Sequence, residues 1–149
     1  MIVYRITNPR FIKLTASGRV ARWNEKGQFV IYAASSIALA CLENIVHRNS
    51  EGLMGDFRIL YIDIPKRVFI KRVELNDLPK EWSDEINFEI CQEIATQWLE
   101  NSEGCVMSVP SVIIPLENNY LINPQHPDFR FIKLVSVEEF TFDNRIKST

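Results

Sequence analysis

The sequence predicts one α+β domain over residues 1–149, in which strands and helices are mixed along the chain. A length of 149 residues suits a single domain with a core of its own. Apolar residues make up 46% and charged residues 24%, which is the ordinary balance of a soluble globular protein. Short apolar runs typical of strands recur along the chain, and two longer segments have the apolar spacing of helices.

Composition also argues against several classes of protein. A formal net charge of −2 gives no strong attraction to nucleic acid or to an anionic membrane. The segment MIVYRITNPR lacks the apolar core of a signal peptide, and no run approaches the ~18 apolar residues of a membrane helix. Cys41, Cys91 and Cys105 lie far apart in apolar segments, so we expect reduced core thiols in a cytoplasmic protein. No His or Cys cluster has metal-ligand spacing, and no glycine-rich phosphate loop occurs.

The chain begins with a predicted strand over residues 1–6 and a basic loop over 7–28. Arg5 lies in the strand, where it either reaches the surface or points into a cleft and meets phosphate, which its planar fork suits. The loop carries five cations and one acid, which indicates either an anionic ligand or a solvated loop. Arg22 differs from the other cations because Trp23 follows it. A large aromatic tucked under the loop fixes the direction of this arginine.

A buried strand over residues 29–34 and a helix over roughly 36–48 are predicted next. Tyr32 lies in the strand, either as a core tyrosine with a satisfied hydroxyl or as a ring that meets a flat heterocycle. Ser35 or Ser36 suits the N-cap of the helix. The helix is apolar nearly all round as far as Val46, which predicts that it is buried.

Glu43 is the only charged residue between Ser36 and Val46, and it falls inside the apolar stripe of the helix. An unpaired carboxylate there is destabilising, or its pKa rises. Glu43 therefore either pairs with a structural arginine or is held in a cleft for chemistry, and we favour chemistry. His47 lies at the C-terminal end of the helix, where the macrodipole favours a positive imidazole, so a structural role is predicted for it.

The later chain is predicted to alternate strands, one helix and turn-rich loops. The second helix starts at a cap on Ser83 or Asp84 and runs to about residue 100, with an apolar stripe of Ile86, Ile90, Ile94 and Trp98. Ser111, between short strand-like segments, either bonds backbone in a bend or offers its hydroxyl to a ligand. Strands are predicted over 57–64, 68–73 (near a sheet edge), 105–109, 112–114 and within 129–142, with loops over 49–56, 75–82 and 117–128.

Six segments in order resemble the RES-domain family, which is named for its Arg, Glu and Ser. The segments are VYRI at 3–6, RWN at 22–24, VIYAA at 30–34, ALACLENIVH at 38–47, VPSVIIP at 109–115 and NYLINPQHPDF at 119–129. Each is weak alone, but together they span nearly the whole chain. Ala21 departs from the glycine that commonly precedes the arginine in the family, which makes the loop less free at that point.

The resemblance implies a fold similar to ADP-ribosyltransferases, with two small sheets flanking a cleft and a few helices. It implies the toxin of a bacterial toxin–antitoxin pair that degrades NAD⁺ at the nicotinamide–ribose bond, by hydrolysis or phosphorolysis. The alternatives are an ADP-ribosyltransferase that modifies a specific protein and a non-catalytic nucleotide-binding module. The implied partner is an Xre-type DNA-binding antitoxin that occludes the cleft in a hetero-oligomer.

The same resemblance implies the residues of the site, with NAD⁺ as the substrate and no metal. Arg22, Tyr32, Glu43 and Ser111 match the functional positions of the family, and Arg5 is a possible helper in binding NAD⁺. Arg22 is expected to hold phosphate. Tyr32 is expected to stack on nicotinamide. Glu43 is expected to stabilise the ribosyl cation or bond its hydroxyl, and Ser111 to orient ribose or amide.

Overall fold

Two helices and seven strands make up the regular structure of the chain in a computed structural model, which describes residues 1–48 and 51–146. The predicted loop over 49–56 lies partly outside these described residues. Short 3₁₀ turns join several of the elements. The elements are β1 (Ile2–Thr7), β2 (Ile31–Ala34), α1 (Ile37–His47), β3 (Phe57–Asp63), β4 (Ile70–Arg72), α2 (Glu89–Glu100), β5 (Val106–Pro110), β6 (Asn118–Ile122) and β7 (Lys133–Phe140).

The seven strands form one sheet in the order β4-β5-β6-β2-β1-β3-β7, which confirms the α+β class. Neighbours are antiparallel except β4 and β5, and β4 lies at a sheet edge as predicted. The expectation of two small sheets is corrected, because β1 and β2 join the two halves. That junction is narrow: β1 pairs with β3 along its length, but its register with β2 is the single pair Tyr4 and Ala34. The two halves are therefore joined by a single registered pair of residues.

The alternation of β2 separates the two faces of the sheet. Ile31 and Ala33 pack into a core with Val3 and Ile122 on one face. Tyr32 lies on the other face, in a cluster of α2 with β5 and β6. Ala34 lies on that face too, in a cluster of α1 with β1 and β3. The boundary between the two helix clusters therefore crosses β2 between Tyr32 and Ala34.

Helix α1 is only partly buried, which corrects the prediction of a buried helix. The Ser36 hydroxyl accepts a hydrogen bond from the Leu39 N–H at 3.0 Å, which confirms a serine N-cap. Leu39 and Ala40 are its buried residues. Three of its apolar side chains, Ile37, Leu42 and Val46, are exposed. The helix packs on one face of the sheet, so only one of its sides contacts the core.

Helix α2 begins at Glu89, several residues later than predicted. The Asp84 carboxylate accepts hydrogen bonds from the N–H groups of Ile86 and Asn87, which closes a turn in place of helix. Ile86 is consequently exposed and does not belong to the core. Cys91, Ala95 and Trp98 are the residues that α2 buries.

Strand β6 corrects the predicted loop over 117–128. It lies between β5 and β2, and the register places Asn119 opposite both Val109 and Ala34. The strand predicted over 112–114 is not formed, and residues 112–113 make a bend instead.

Two of the three cysteines lie in the core, as expected from the sequence. All three cysteines are free thiols, with Cys91 and Cys105 fully buried and Cys41 half-buried. Across residues 1–48 and 51–146, no helix is both long enough and apolar enough to cross a bilayer.

Candidate active site

Glu43 lies on α1 at the boundary between the two helix clusters, and its carboxylate is held by neighbours from three elements. Oε1 accepts a hydrogen bond from Asn119 Nδ2 at 2.6 Å and another from Ser111 Oγ at 3.1 Å. Oε2 lies 3.3 Å from His47 Nε2, one helical turn later. The sequence left two explanations for Glu43, a structural arginine or a role in chemistry. Among the described residues, no arginine pairs with Glu43, so the first explanation is not supported.

The environment of Glu43 keeps the carboxylate ionised. Burial alone would raise the pKa of Glu43, because a charge is poorly solvated there. Hydrogen bonds from His47, Asn119 and Ser111 outweigh that effect, and the pKa of Glu43 is lowered from its ordinary value. At neutral pH the site thus presents a half-buried negative charge.

Ser111 is fully buried at the end of β5, and its hydroxyl is fully engaged. The oxygen accepts the N–H groups of Ile113 and Ile114, at 3.1 and 3.2 Å, and its proton points to Glu43. A hydroxyl has one donor and two acceptor positions, so all three are used. Ser111 therefore does both things that the sequence allowed. It closes a bend through its oxygen, and it donates its proton to Glu43 rather than to solvent.

Tyr32 belongs to the same face, two residues before Ala34 on β2. Asn119 opposes Ala34, so Tyr32 is a diagonal neighbour of Asn119 at about 7–8 Å between backbones. The Tyr32 hydroxyl donates to Asn24 Oδ1 at 2.6 Å, and burial raises the pKa of this phenol, which stays neutral. The Asn24 amide in turn donates to the carbonyls of Arg19, Glu25 and Gln28. Tyr32 therefore fixes the loop that carries Arg22.

Arg22 lies beside α2, with the buried Trp23 beneath the loop as predicted. Its Nη1 donates to the carbonyl of Trp82 at 2.9 Å, and the guanidinium lies 4.7 Å from the centre of the Phe88 ring. No Asp or Glu among the described residues forms an ion pair with Arg22. The contacts aim the guanidinium without neutralising it, so it can bind an anion.

Arg5 is not brought to Glu43. On β1 it alternates with Tyr4, so it lies on the face of Val3, across the sheet from Tyr32 and Glu43. Its Nη1 donates to the carbonyl of Thr15 at 3.0 Å. Burial lowers the pKa of Arg5 to about 10, so the side chain stays charged at neutral pH. Its role in binding phosphate stays a prediction.

The sequence did not predict three contributors to the site: Asn119, Asn24 and the contact of His47 with Glu43. Asn119 was hidden because asparagine favours loops, although the apolar run that follows it was a sign of a strand. Asn24 lies in the RWN segment at 22–24, but the sequence predicted no role for it. His47 lies four residues after Glu43, and that spacing places the two side chains together on a helix.

Other parts of the surface suit the chemistry less well. A depression of about 460 Å³ beside α2 is lined in part by Glu25, Glu89, Glu93 and Glu100, which repel a pyrophosphate. In the described parts of the chain, no three His, Cys, Asp or Glu side chains gather as a metal ion would need. The geometry therefore favours the Glu43 region as the candidate active site.

Comparisons with known proteins show the family of the chain. The model of the family described as RES domain matches residues 2–143. A protein named "Toxin Res" from Photorhabdus laumondii is 36% identical over 152 residues, covering 98% of this chain and 97% of that protein. The "Prs ADP-ribosylating toxin" of Sphingobium sp. is 40% identical over 127 residues, covering 84% of this chain and 79% of that protein.

A solved structure shows the same fold. The toxin–antitoxin complex MbcT–MbcA of M. tuberculosis contains a chain that superposes with a TM-score of 0.79, over 94% of this chain and 84% of that one. The identity is 16%, so this likeness shows the fold alone. The family match and the two toxin relatives show that this chain belongs to the RES domain family.

Proposed function

We propose that the chain is the toxin of a bacterial toxin–antitoxin pair and that it cleaves NAD⁺ between nicotinamide and ribose. One observation carries the proposal. Glu43 is a half-buried carboxylate, held ionised by Ser111, Asn119 and His47 and paired with no arginine or lysine among the described residues. Such a group is well placed to stabilise a positive charge that develops on a bound substrate.

Cleavage of the nicotinamide–ribose bond creates a positive charge that a carboxylate can stabilise. Breaking the bond from ribose C1′ to the pyridinium nitrogen sends the electron pair to nicotinamide, which leaves neutral, and C1′ becomes cationic. Water or phosphate then bonds to C1′, an acceptor water gives up a proton, and the product is ADP-ribose or its 1-phosphate. The transition state resembles that of other glycoside cleavage, in which a fixed carboxylate stabilises the oxocarbenium ion.

The other residues divide into binding and positioning roles. Arg22 would bind the pyrophosphate, because its guanidinium has no acidic partner in the described chain and suits phosphate oxygens. The Tyr32 ring would stack on nicotinamide while its hydroxyl holds Asn24. Ser111 would act through Glu43 rather than touch ribose, since its hydroxyl is fully used.

Relatives support the toxin part of the proposal. Two similar proteins carry the word toxin in their names, and the structural neighbour was solved as a toxin–antitoxin complex. An antitoxin partner of the Xre type, covering the Glu43 cleft in a hetero-oligomer, is part of the proposal. So is a cytoplasmic location, where NAD⁺ is available.

A second candidate is transfer of ADP-ribose to a specific protein, and the Sphingobium relative favours it. That protein is 40% identical and is named as an ADP-ribosylating toxin. The Glu43 chemistry is the same in both reactions until the acceptor arrives, so the acceptor separates them. A non-catalytic nucleotide-binding module is less well supported, because it has no need of a half-buried carboxylate that is held ionised.

The test follows nicotinamide release from NAD⁺ by the purified chain, with and without phosphate, and identifies the ribosyl product. We expect release by the wild-type chain and a loss of about 10²- to 10³-fold in kcat for Glu43→Gln. Glutamine keeps the shape and can still accept from Ser111 and Asn119, so the fold should survive. Glu93→Gln, on the exposed side of α2, is the matched control and should keep full activity.

Two outcomes would contradict the proposal. A folded Glu43→Gln variant with full NAD⁺ cleavage would remove Glu43 from the reaction. A wild-type chain that leaves NAD⁺ intact with both acceptors, yet transfers label from NAD⁺ to a protein in a cell extract, would favour the transferase. Growth arrest on expression, relieved by Glu43→Gln, tests the toxin role separately.

A further inference from the structure

We propose that His47 is a further catalytic residue, the base that takes the proton from an acceptor water. The inference rests on the proposed function, since it assigns the second half of the same reaction. It gives a role to a residue whose position at a helix end predicted only a structural one. It also makes His47 the residue that determines whether water can serve as the acceptor.

The first argument is the unequal use of the two carboxylate oxygens of Glu43. Oε1 accepts from Asn119 and Ser111, which come from the sheet and the bend below the helix. Oε2 lies 3.3 Å from His47 Nε2. The carboxylate is therefore anchored through one oxygen and contacts the imidazole through the other.

The second argument is the order of exposure. The side chain of His47 is 73% exposed, whereas that of Glu43 is 23% exposed. The imidazole thus lies on the solvent side of the carboxylate, from which an acceptor arrives. His47 is the last residue of α1, so no further turn of this helix covers it.

The third argument is chemical. As the acceptor oxygen bonds to C1′, the C1′–N bond breaks, nicotinamide leaves with the electron pair, and the water must lose a proton. An ionised Glu43 with a lowered pKa is a weak base, whereas histidine is the usual general base near neutral pH. With Nε2 directed at Glu43, Nδ1 is the nitrogen that accepts the proton and passes it to solvent. The pair divides the work: Glu43 stabilises the cation and orients the imidazole, and His47 activates water.

A purely structural role is the competing explanation. An exposed pair one helical turn apart stabilises a helix only slightly, and the helix dipole favours a cation at this end. In that case His47 would affect all acceptors alike, through the position of Glu43. An acceptor that has no proton to lose separates the two explanations.

The experiment compares water with azide as the acceptor, in the full chain, for the wild type, His47→Gln and His126→Gln. Glutamine keeps a donor to Glu43 but is not a base. We expect His47→Gln to lose about 100-fold in hydrolysis, with KM for NAD⁺ little changed, and to recover near wild-type nicotinamide release with azide. His126 is the only other histidine, and its Nδ1 caps a short 3₁₀ turn by accepting the Asp128 N–H, so His126→Gln controls for loss of a histidine.

Each other result overturns the inference. Unchanged hydrolysis by folded His47→Gln would show that no base is needed there. Equal losses with water and azide would show that His47 only positions Glu43. A wild-type chain that cleaves NAD⁺ with phosphate alone would show that water is not activated, while the proposed function stands. Absence of cleavage with every acceptor would contradict the proposed function itself, and the inference with it.

Discussion

The acidic end and the basic end of the candidate site hold their charges by different means. Glu43 is fixed by hydrogen bonds to Asn119 and Ser111, and its pKa is lowered by them and by His47. Arg22 is aimed by one backbone carbonyl and by the ring of Phe88. Neither end uses an opposite charge from a Lys, Arg, Asp or Glu side chain among the described residues.

The proposed roles of the two ends correspond to this difference. A carboxylate fixed through several short contacts is preorganised for a charge that exists only in the transition state, and such a group affects kcat. A guanidinium with unused donors binds a charge that the substrate carries from the start, and such a group affects KM. The predictions below separate the two ends by this criterion.

The largest effect on KM is expected from Arg22→Ala. Loss of a charge-assisted contact to pyrophosphate should raise KM for NAD⁺ about 10- to 100-fold, with a smaller change in kcat. Arg22→Lys should fall between, because a lysine keeps the charge but not the planar fork. Steady-state kinetics of NAD⁺ cleavage measures both constants. Arg19→Ala, in the same loop and exposed, is the matched control.

The contrast with Glu43→Gln is the informative part. If Arg22→Ala lowers kcat and leaves KM unchanged, the basic end takes part in the transition state, and the division of roles is wrong. If Arg5→Ala raises KM as Arg22→Ala does, then the face across the sheet also contributes to binding. The contact of Arg5 with Thr15 predicts instead an effect on the stability of the loop.

The sequence predicted the parts of the site that depend on local patterns. Glu43 stood out because a single carboxylate in an apolar helical stripe needs an explanation, and Ser36 was recognisable as a cap. The assignment of Arg22, Tyr32 and Glu43 to one site followed from the family resemblance, not from spacing. What local patterns could not supply was Asn119, whose strand forms only because β5 and β2 pair with it on both sides.

The same reason explains the errors in the helices. The apolar composition of α1 predicted burial, but burial depends on what packs on each side of a helix, and one side of α1 is uncovered. The early start predicted for α2 failed because the Asp84 side chain competes for the N–H groups of Ile86 and Asn87. Helix propensity is a property of each residue taken alone, so it does not include competition from the Asp84 side chain.

A middle-sized effect is expected from Asn119→Ala, and it appears in the pH dependence. Removing the 2.6 Å bond to Glu43 raises the pKa of Glu43 toward its ordinary value. Activity needs the ionised form, so the acid limb of the kcat–pH profile should move to higher pH, with modest loss at neutral pH. Asn118→Ala, the neighbouring position on β6, is the control and should leave the limb in place.

Stability should change in the same sense. The pKa of Glu43 is lower in the folded chain than in the unfolded chain, so its hydrogen bonds stabilise the fold above the ordinary carboxyl pKa. That contribution is lost as the pH falls through the lowered folded value. In Asn119→Ala the acid-dependent loss should be smaller, as denaturant unfolding at neutral and acidic pH would measure. An unchanged acid limb and an unchanged pH dependence would contradict the assigned role of Asn119.

The smallest effect is expected from Tyr32→Phe, which keeps the aromatic ring and removes only the hydroxyl. The buried Asn24 oxygen then loses its 2.6 Å partner, which should cost about 1–2 kcal/mol of stability and lower Tm by about 3–6 °C. The loop that carries Arg22 loosens, so KM for NAD⁺ should rise a few-fold while kcat stays near the wild-type value. Tyr61→Phe is the matched control, because the Tyr61 hydroxyl bonds Glu138 at the surface, and we expect a smaller change in Tm. A fall in kcat without a rise in KM would show that the hydroxyl serves the acidic end, and that Tyr32 belongs with Glu43 rather than with Arg22.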